Sequence, residues 1–466
     1  MRLVSEEFLY FFLAVFTLHW LLPGRWRNAL LVLASYFFYA WWNWRYTGLL
    51  FGMTCASYLL GRAVHKSRGR PERHAWVLAA IVLHVGVLAY FKCGNFGTES
   101  LEASRGTAMA QWAIPLGLSY YTFQCLGYVL DVARGLPAAE RFLPYCLFVS
   151  FFAQLTAGPI GRARSLLPQI EAPRHWDWSR FYEGCHLIYW GLFQKVFIAD
   201  SLRSIVVFVF DGPVPESGLE TLLGIYAFTL QLYGDFAGYS NIARGLGKCL
   251  SLDLAENFRL PFLAQDMQEH WKRWHLSLSE WFADFVYRPL VDLPVGYYKF
   301  FAAPFVTMLI MGLWHRPNLQ MAALGLNYGF WLALTFAVKI WALRRGFAPT
   351  EAASAVLPWV NRALTFHLVC GGFILLRAHS LGHAASLAAR VFGPFHLTAQ
   401  AGDMSRRLLF FAGPLIALEL LEHVRGGAGS LYRLPLPLRG AIYAGMLFLL
   451  VAFVSLRSTR FYYSAF

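Results

Sequence analysis

The chain is 466 residues long, 58% hydrophobic and only 14% charged, with a formal net charge of +14. Soluble domains carry about 25% charged and about 45–50% apolar residues, so this balance excludes a water-soluble fold, a disordered chain and a small disulfide scaffold. In so apolar a chain the basic excess points to Lys and Arg facing a cytoplasmic leaflet, not to nucleic acid.

A helical span needs about 20 mostly apolar residues. In chain order the candidate stretches are 8–22, 28–42, 46–60, 75–90, 114–132, 142–157, 184–198, 218–236, 297–314, 321–341, 363–376, 408–421 and 438–456. Several are short, which predicts an all-α polytopic membrane protein of roughly ten to thirteen membrane segments, some of them tilted, re-entrant or interfacial. No repeat or low-complexity linker interrupts the chain, so residues 1–466 read as one integral membrane domain. Glu6 and Glu7 stand where a cleavable signal peptide would carry basic residues, so none is expected. The seven cysteines are odd in number, form no C-x-x-C pair and read as buried thiols.

The positive-inside rule places the loop with Arg62, Lys66, Arg68, Arg70 and Arg73 in the cytoplasm and the N-terminus outside. Arg162, Arg164, Arg174 and Arg180 then fall on the wrong side unless 142–157 fails to cross, and the Ala157-Gly158-Pro159 break favours that. Irregular backbone at membrane depth is tolerated only beside protein or water, so this region is expected to line a cavity.

Residues 253–287 differ from everything around them. Eleven charged or His residues alternate with Trp271, Trp274, Trp281 and Phe282, whose spacings suit one face of a helix. The pattern fits helices lying in the interface or folded into a funnel, or a cytoplasmic amphipathic loop with a solvated face.

Most of the fourteen histidines need no special role. His379 and His383 have the spacing of a metal pair but lack an H-E-x-x-H pattern and an evident third ligand, so no metal is expected. His275 sits at the centre of the charged segment, and His315 ends an apolar run just before Arg316-Pro317. A titratable group that close to a span is costly unless paired or facing a wet cavity, and imidazole can accept a hydroxyl proton at neutral pH. A helix-end cap facing headgroups is the alternative for His315. No phosphate-binding loop, nucleophile elbow or dinucleotide fingerprint is present.

The stretch from Gln231 to Ser240 (QLYGDFAGYS) resembles the "Q-L-Y-x-D-F-x-G-Y-S" of the membrane-bound O-acyltransferase family. So do Glu256-Asn257-Phe258, the run from Trp271 to Asp284 (WKRWHLSLSEWFAD) and Gly312-Leu313-Trp314-His315. Agreement runs from about residue 27 to about 377, with the catalytic region at about 231–331, and is strongest to the bacterial branch holding alginate O-acetyltransferase and the teichoic acid D-alanyl transfer protein.

The resemblance implies tilted helices around a central tunnel in the inner membrane. An acyl donor would enter from the cytoplasm, with acetyl-CoA the expected donor substrate, and the hydroxyls of an extracytoplasmic polysaccharide or envelope glycan would receive the acyl group. A periplasmic transfer partner is also implied. Carried over by position, His315 is the catalytic histidine and His275 its partner. Trp271, Lys272, Arg273, Trp274, Trp314, Asp235, Tyr239 and Asn257 are candidate donor- or substrate-binding residues. Lys272 and Arg273 could hold donor phosphates or serve as ordinary interfacial cations. The chain departs from the alginate-type pattern at Arg316-Pro317, at Asn241, at Val291-Asp292 and at Tyr328, which replaces a second histidine. These changes make alginate a doubtful acceptor and leave open an impaired scaffold. A transporter or flippase of a lipid-linked sugar is the rival from another class, against which stands the lack of repeated halves.

Overall fold

Apolar runs closed by polar caps, prolines and glycines fold into helices almost throughout. The computed structural model describes residues 1, 3–105, 114–156, 158–296, 298–346, 351–426 and 430–453, and no strand occurs among them. The first helices are α1 (Glu6–Leu21), α2 (Gly24–Asn43), α3 (Thr47–Lys66), α4 (Glu72–Arg105) and α5 (Leu118–Ala133). Next come α6 (Phe142–Ser150), α7 (Phe152–Leu155), α8 (Ala163–Glu171), α9 (Trp178–Leu192), α10 (Asp200–Asp211) and α11 (Gly218–Cys249). Three short helices follow, α12 (Met267–Trp271), α13 (Leu276–Phe282) and α14 (Arg288–Val291). The chain continues with α15 (Lys299–His315), α16 (Leu319–Arg344), α17 (Glu351–Arg377), α18 (Leu381–Val391), α19 (Ala399–Val424) and α20 (Leu436–Phe453).

This is an all-α polytopic membrane protein. Four helices among the described residues are long and apolar enough to cross a bilayer by themselves: Glu72–Gly94, Leu319–Arg344, Ala355–Arg377 and Leu436–Phe453. The other apolar stretches lie mainly on shorter or more polar helices. Residues 142–157 break at Phe151 into α6 and α7, of nine and four residues, each far short of a crossing. Ala157, Tyr297 and 454–456, which bound three of the expected stretches, lie outside the described residues.

The described chain divides into two compact units, Met1–Trp190 with Tyr239–Glu256, and Gly191–Gly238 with Asn257–Phe466. In the first, an aromatic cluster fastens α1 to α2 and α7, with Phe8 5.9 Å from Phe38 and Phe11 5.3 Å from Phe152, ring centre to ring centre. Polar links fix its basic edge, where Lys248 bridges Glu183 and Asp253 at 3.0 Å each.

In the second unit α15 and α16 form a close antiparallel hairpin. A Cβ at Gly312 would strike the Met321 carbonyl, one at Gly325 would come 2.8 Å from Leu309 Cα, and one at Gly329 would come 2.8 Å from Phe305 Cα. Three glycines therefore let the two backbones approach, as small residues do between membrane helices. The same unit holds an ionic cluster: Lys195, on the π-helical stretch Phe193–Ala199, reaches Asp200 at 2.8 Å and Asp235 at 2.6 Å, with all three side chains buried.

The aromatic periodicity of 253–287 does not come from one helix, and this corrects the sequence-based expectation. α12 stops at Trp271, the chain turns through Lys272–His275, and α13 starts at Leu276. Trp271 and Trp274 are three residues apart because a tight turn separates them, with Trp274 N–H donating to His270 O at 2.8 Å.

Candidate active site

His315 is the last residue of α15. Arg316 after it is extended (φ −148°, ψ 136°), as a residue before proline must be, and Asn318 Oδ1 caps α16 by accepting from Met321 N–H at 2.9 Å. This stop fixes the imidazole, half-buried, at a helix end with the Trp314 ring 4.6 Å away.

His275 is held differently. Its backbone is left-handed (φ 44°, ψ 53°), a conformation that costs a non-glycine residue about 1–3 kcal/mol and is found at sites whose surroundings enforce it. Asn257 does the enforcing. Its carbonyl accepts from Leu276 N–H at 2.9 Å, and its Oδ1 accepts from Ser277 N–H at 3.3 Å and Ser277 Oγ at 2.6 Å. The same Oδ1 lies 3.3 Å from His275 Nδ1. An amide oxygen only accepts, so Nδ1 bears the proton and Nε2 the lone pair. Burial pulls the His275 imidazole down to about 3, which keeps it neutral at pH 7, and the Phe236 ring packs edge-on at 4.6 Å.

Both histidines line one cavity of about 40 Å³, together with Trp271, Trp274, Met311 and Tyr328. Its wall is otherwise aliphatic, apart from Phe373. The Trp271 Nε1–H is buried with no hydrogen-bond partner among the described residues, a donor that a bound acceptor atom would satisfy. Trp271, Met308 and Met311 also line a second, larger chamber of about 520 Å³, where Arg259, Lys272 and Arg288 supply positive charge. Lys272 makes no ion pair among the described residues, whereas Arg288 is tied to Asp284 at 2.6 Å.

The remaining sequence-predicted residues are placed elsewhere. Arg273 is taken up by Glu269, with Nε at 3.0 Å and Nη2 at 2.6 Å from Oε1, and lines neither space. Asp235 is buried against Lys195, and Trp314 touches His315 without lining the cavity. Tyr239 belongs to the other compact unit. His270 stacks on Trp274 at 5.7 Å, and burial lowers its imidazole to about 4, against a hydrogen bond with the Pro261 carbonyl that works the other way. His379 and His383 stack at 5.3 Å across the start of α18 instead of along one helix face, with Asp211 2.8 Å from His379 Nε2. Among the described residues no group of three or more His, Cys, Asp or Glu is arranged to hold a metal.

Sequence reasoning missed three features. Lys195 and Asp200 sat in or beside an apolar run read as a plain span, though a lysine inside such a run is itself a signal of a buried partner. Arg259 and Arg288 were two of many basic residues until the fold set them on one chamber. Tyr328, visible in the sequence only as a replacement for a histidine, forms part of the cavity wall.

No family profile matches the chain. It is 36% identical over 399 residues to a probable alginate O-acetylase of Pseudomonas putida, covering 84% of this chain and 79% of the relative. It is 37% identical over 397 residues to the protein of the same name from Azotobacter vinelandii, covering 83% and 77%. A peptidoglycan O-acetyltransferase of Helicobacter pylori is 27% identical over 433 residues, covering 86% and 80%. With likeness at this level over most of its length, a helical membrane fold and two histidines on one cavity, the chain belongs to the membrane-bound O-acyltransferase family and is an O-acyltransferase.

Proposed function

We propose that this enzyme acetylates hydroxyls of an extracytoplasmic polysaccharide or envelope glycan, with His315 as general base and acetyl-CoA as donor. The observation that carries this reading is the shared cavity: two imidazoles and an unsatisfied indole N–H meet in an apolar space whose wall is also the wall of a basic chamber. The names of the relatives, an alginate O-acetylase and a peptidoglycan O-acetyltransferase, support the acceptor class.

Lys299 and the basic residues Lys339, Arg344 and Arg345 mark one end of the α15–α16 hairpin, and His315 lies at the other. By the positive-inside rule the basic end is cytoplasmic, in the cell's inner membrane. A 17-residue helix rises about 25 Å against a hydrocarbon core of about 30 Å, so His315 sits within the bilayer's depth, near its outer side. A donor in the basic chamber would lay its phosphates near Lys272 and Arg259 and bring its thioester past Trp271. The acceptor hydroxyl would arrive from outside.

The two histidines divide the work by environment. Half-buried His315 can hold the imidazolium that forms when it takes the hydroxyl proton. Buried His275 resists charge, so its role is to orient substrate as a neutral ring. As the proton leaves, the acceptor oxygen attacks the thioester carbonyl. The new C–O bond forms, the C–S bond breaks, and the departing sulfur takes the proton from His315 to become the free thiol. The Trp271 N–H is the donor suited to the carbonyl oxygen as charge builds on it. Trp271 and Trp274 keep the site dry, which protects a thioester from hydrolysis.

The reading is tested by incubating the purified protein with labelled acetyl-CoA and following both CoA release and ester-bound label on envelope polymers. Label appearing on glycan in a His315-dependent way supports it. Wild-type protein that releases no CoA and leaves glycan acetate unchanged in cells points instead to a scaffold.

A further inference from the structure

Given acetyl transfer as proposed above, we infer that Tyr328 sets the length of the acyl group, restricting the enzyme to two-carbon donors. Tyr328 puts a large ring on the cavity wall, and its position is not adjustable. The hydroxyl donates to the Val369 carbonyl at 3.3 Å. Trp271 meets the ring edge-on at 5.3 Å. On the third side the ring lies against Gly372, where an added Cβ would come 2.8 Å from Tyr328 Cε1 and closer still to its outer atoms. Tyr328 is therefore wedged between α12 and α17, and only a glycine at 372 leaves it room.

The space left is small. A cavity of about 40 Å³ holds roughly three or four water-sized groups, each needing about 10–15 Å³ on the same measure. An acetyl group has three non-hydrogen atoms and fits. A butyryl group has five, and the chain beyond the carbonyl would meet Tyr328, Leu324 and Phe373. Because the tyrosine cannot swing aside, a longer chain has to displace packed side chains, and the cost falls on transfer itself. Pockets of this kind discriminate about 10–200-fold per methylene.

The experiment compares kcat/KM for acetyl-, propionyl- and butyryl-CoA in wild-type enzyme and in Tyr328→Ala, reading CoA release and ester formation. Wild type is expected to favour acetyl over butyryl by at least about tenfold, and Tyr328→Ala to raise the butyryl-to-acetyl ratio by about tenfold or more. Leu324→Ala, on the same wall, should shift the ratio the same way and serves if the tyrosine variant does not fold. Gly372→Ala, which pushes the ring inward, should lower acetyl transfer. Wild type using acetyl and butyryl equally, or active wall variants with an unchanged ratio, would overturn the inference alone. Wild type that turns over none of the three thioesters would overturn the acetyltransferase reading, and the length selection with it.

Discussion

One oxygen, Asn257 Oδ1, faces His275 Nδ1 at 3.3 Å while accepting from Ser277 Oγ at 2.6 Å, so a single amide sets both the tautomer of the histidine and the turn it occupies. Replacing Asn257 by Ala removes the acceptor and lets the left-handed turn relax. Activity is expected to fall about 10–100-fold, by analogy with the loss of a partner that orients a metal-bound histidine. Asn257→Asp should instead stabilise a charged His275 and move the acid limb of the rate–pH profile upward, a shift that a purely structural role would not produce.

His315→Ala should abolish glycan acetylation, since loss of a general base costs about 10²–10⁴-fold. The half-exposed ring makes no deep packing contribution, so the variant is expected to insert and purify like wild type. Normal acetate content in cells carrying it would remove His315 from the mechanism. His275→Ala should lower kcat under saturating donor.

Lys272→Ala should raise KM for acetyl-CoA several-fold with a smaller change in kcat, because its charge faces the large chamber and not the imidazoles. Arg273→Ala is expected to leave KM unaltered and to cost stability through Glu269. If the two variants behave alike, the chamber does not bind the donor's phosphates.

Stability should fall with acidification. His270 and His275 stay neutral in the folded protein down to about 4 and about 3, whereas in the unfolded chain each titrates near 6.5. Above that value the rings favour folding in full. As the pH drops below it the unfolded state binds protons the folded state refuses, so stability declines by up to about 1.4 kcal/mol per pH unit per ring. Thermal unfolding in detergent between pH 7 and pH 4 reads this directly. His270→Gln should make the decline shallower.

Gly312→Ala should separate α15 from α16, because the new methyl meets the Met321 carbonyl, a backbone atom that cannot turn aside. A destabilisation of about 1–3 kcal/mol is expected, together with reduced activity, since His315 lies one turn further on.

The helices were readable because spans need only sustained apolar length, and the Arg162–Arg180 cluster pointed to the stretch 142–157, which breaks at Phe151. The ends were readable too: Pro317 and Asn318 announce that the helix stops at His315 and restarts at Leu319. His275 and His315 stood out as titratable groups beside apolar runs, but their pairing came only from motif resemblance. The cavity joins Trp271–Leu278, Met308–His315, Leu324–Tyr328 and Phe373–Leu376, segments that no local periodicity links. Around Trp271 the local pattern misled, because a tight turn can imitate helical spacing over three residues. The fate of Arg273 could not be read either, since Glu269 and an open chamber compete for it and only the fold decides.

The burial of Lys195 with Asp200 and Asp235 bears on how the protein is made. A lysine or aspartate alone at the centre of a membrane helix opposes insertion by about 2.5–3.5 kcal/mol. The segment carrying Lys195 and Asp200 leaves the ribosome well before Asp235, so until that second carboxylate emerges only Asp200 offsets the lysine's charge. Folding of this region is thereby expected to be coupled: the two segments reach their buried positions together, as a neutralised pair.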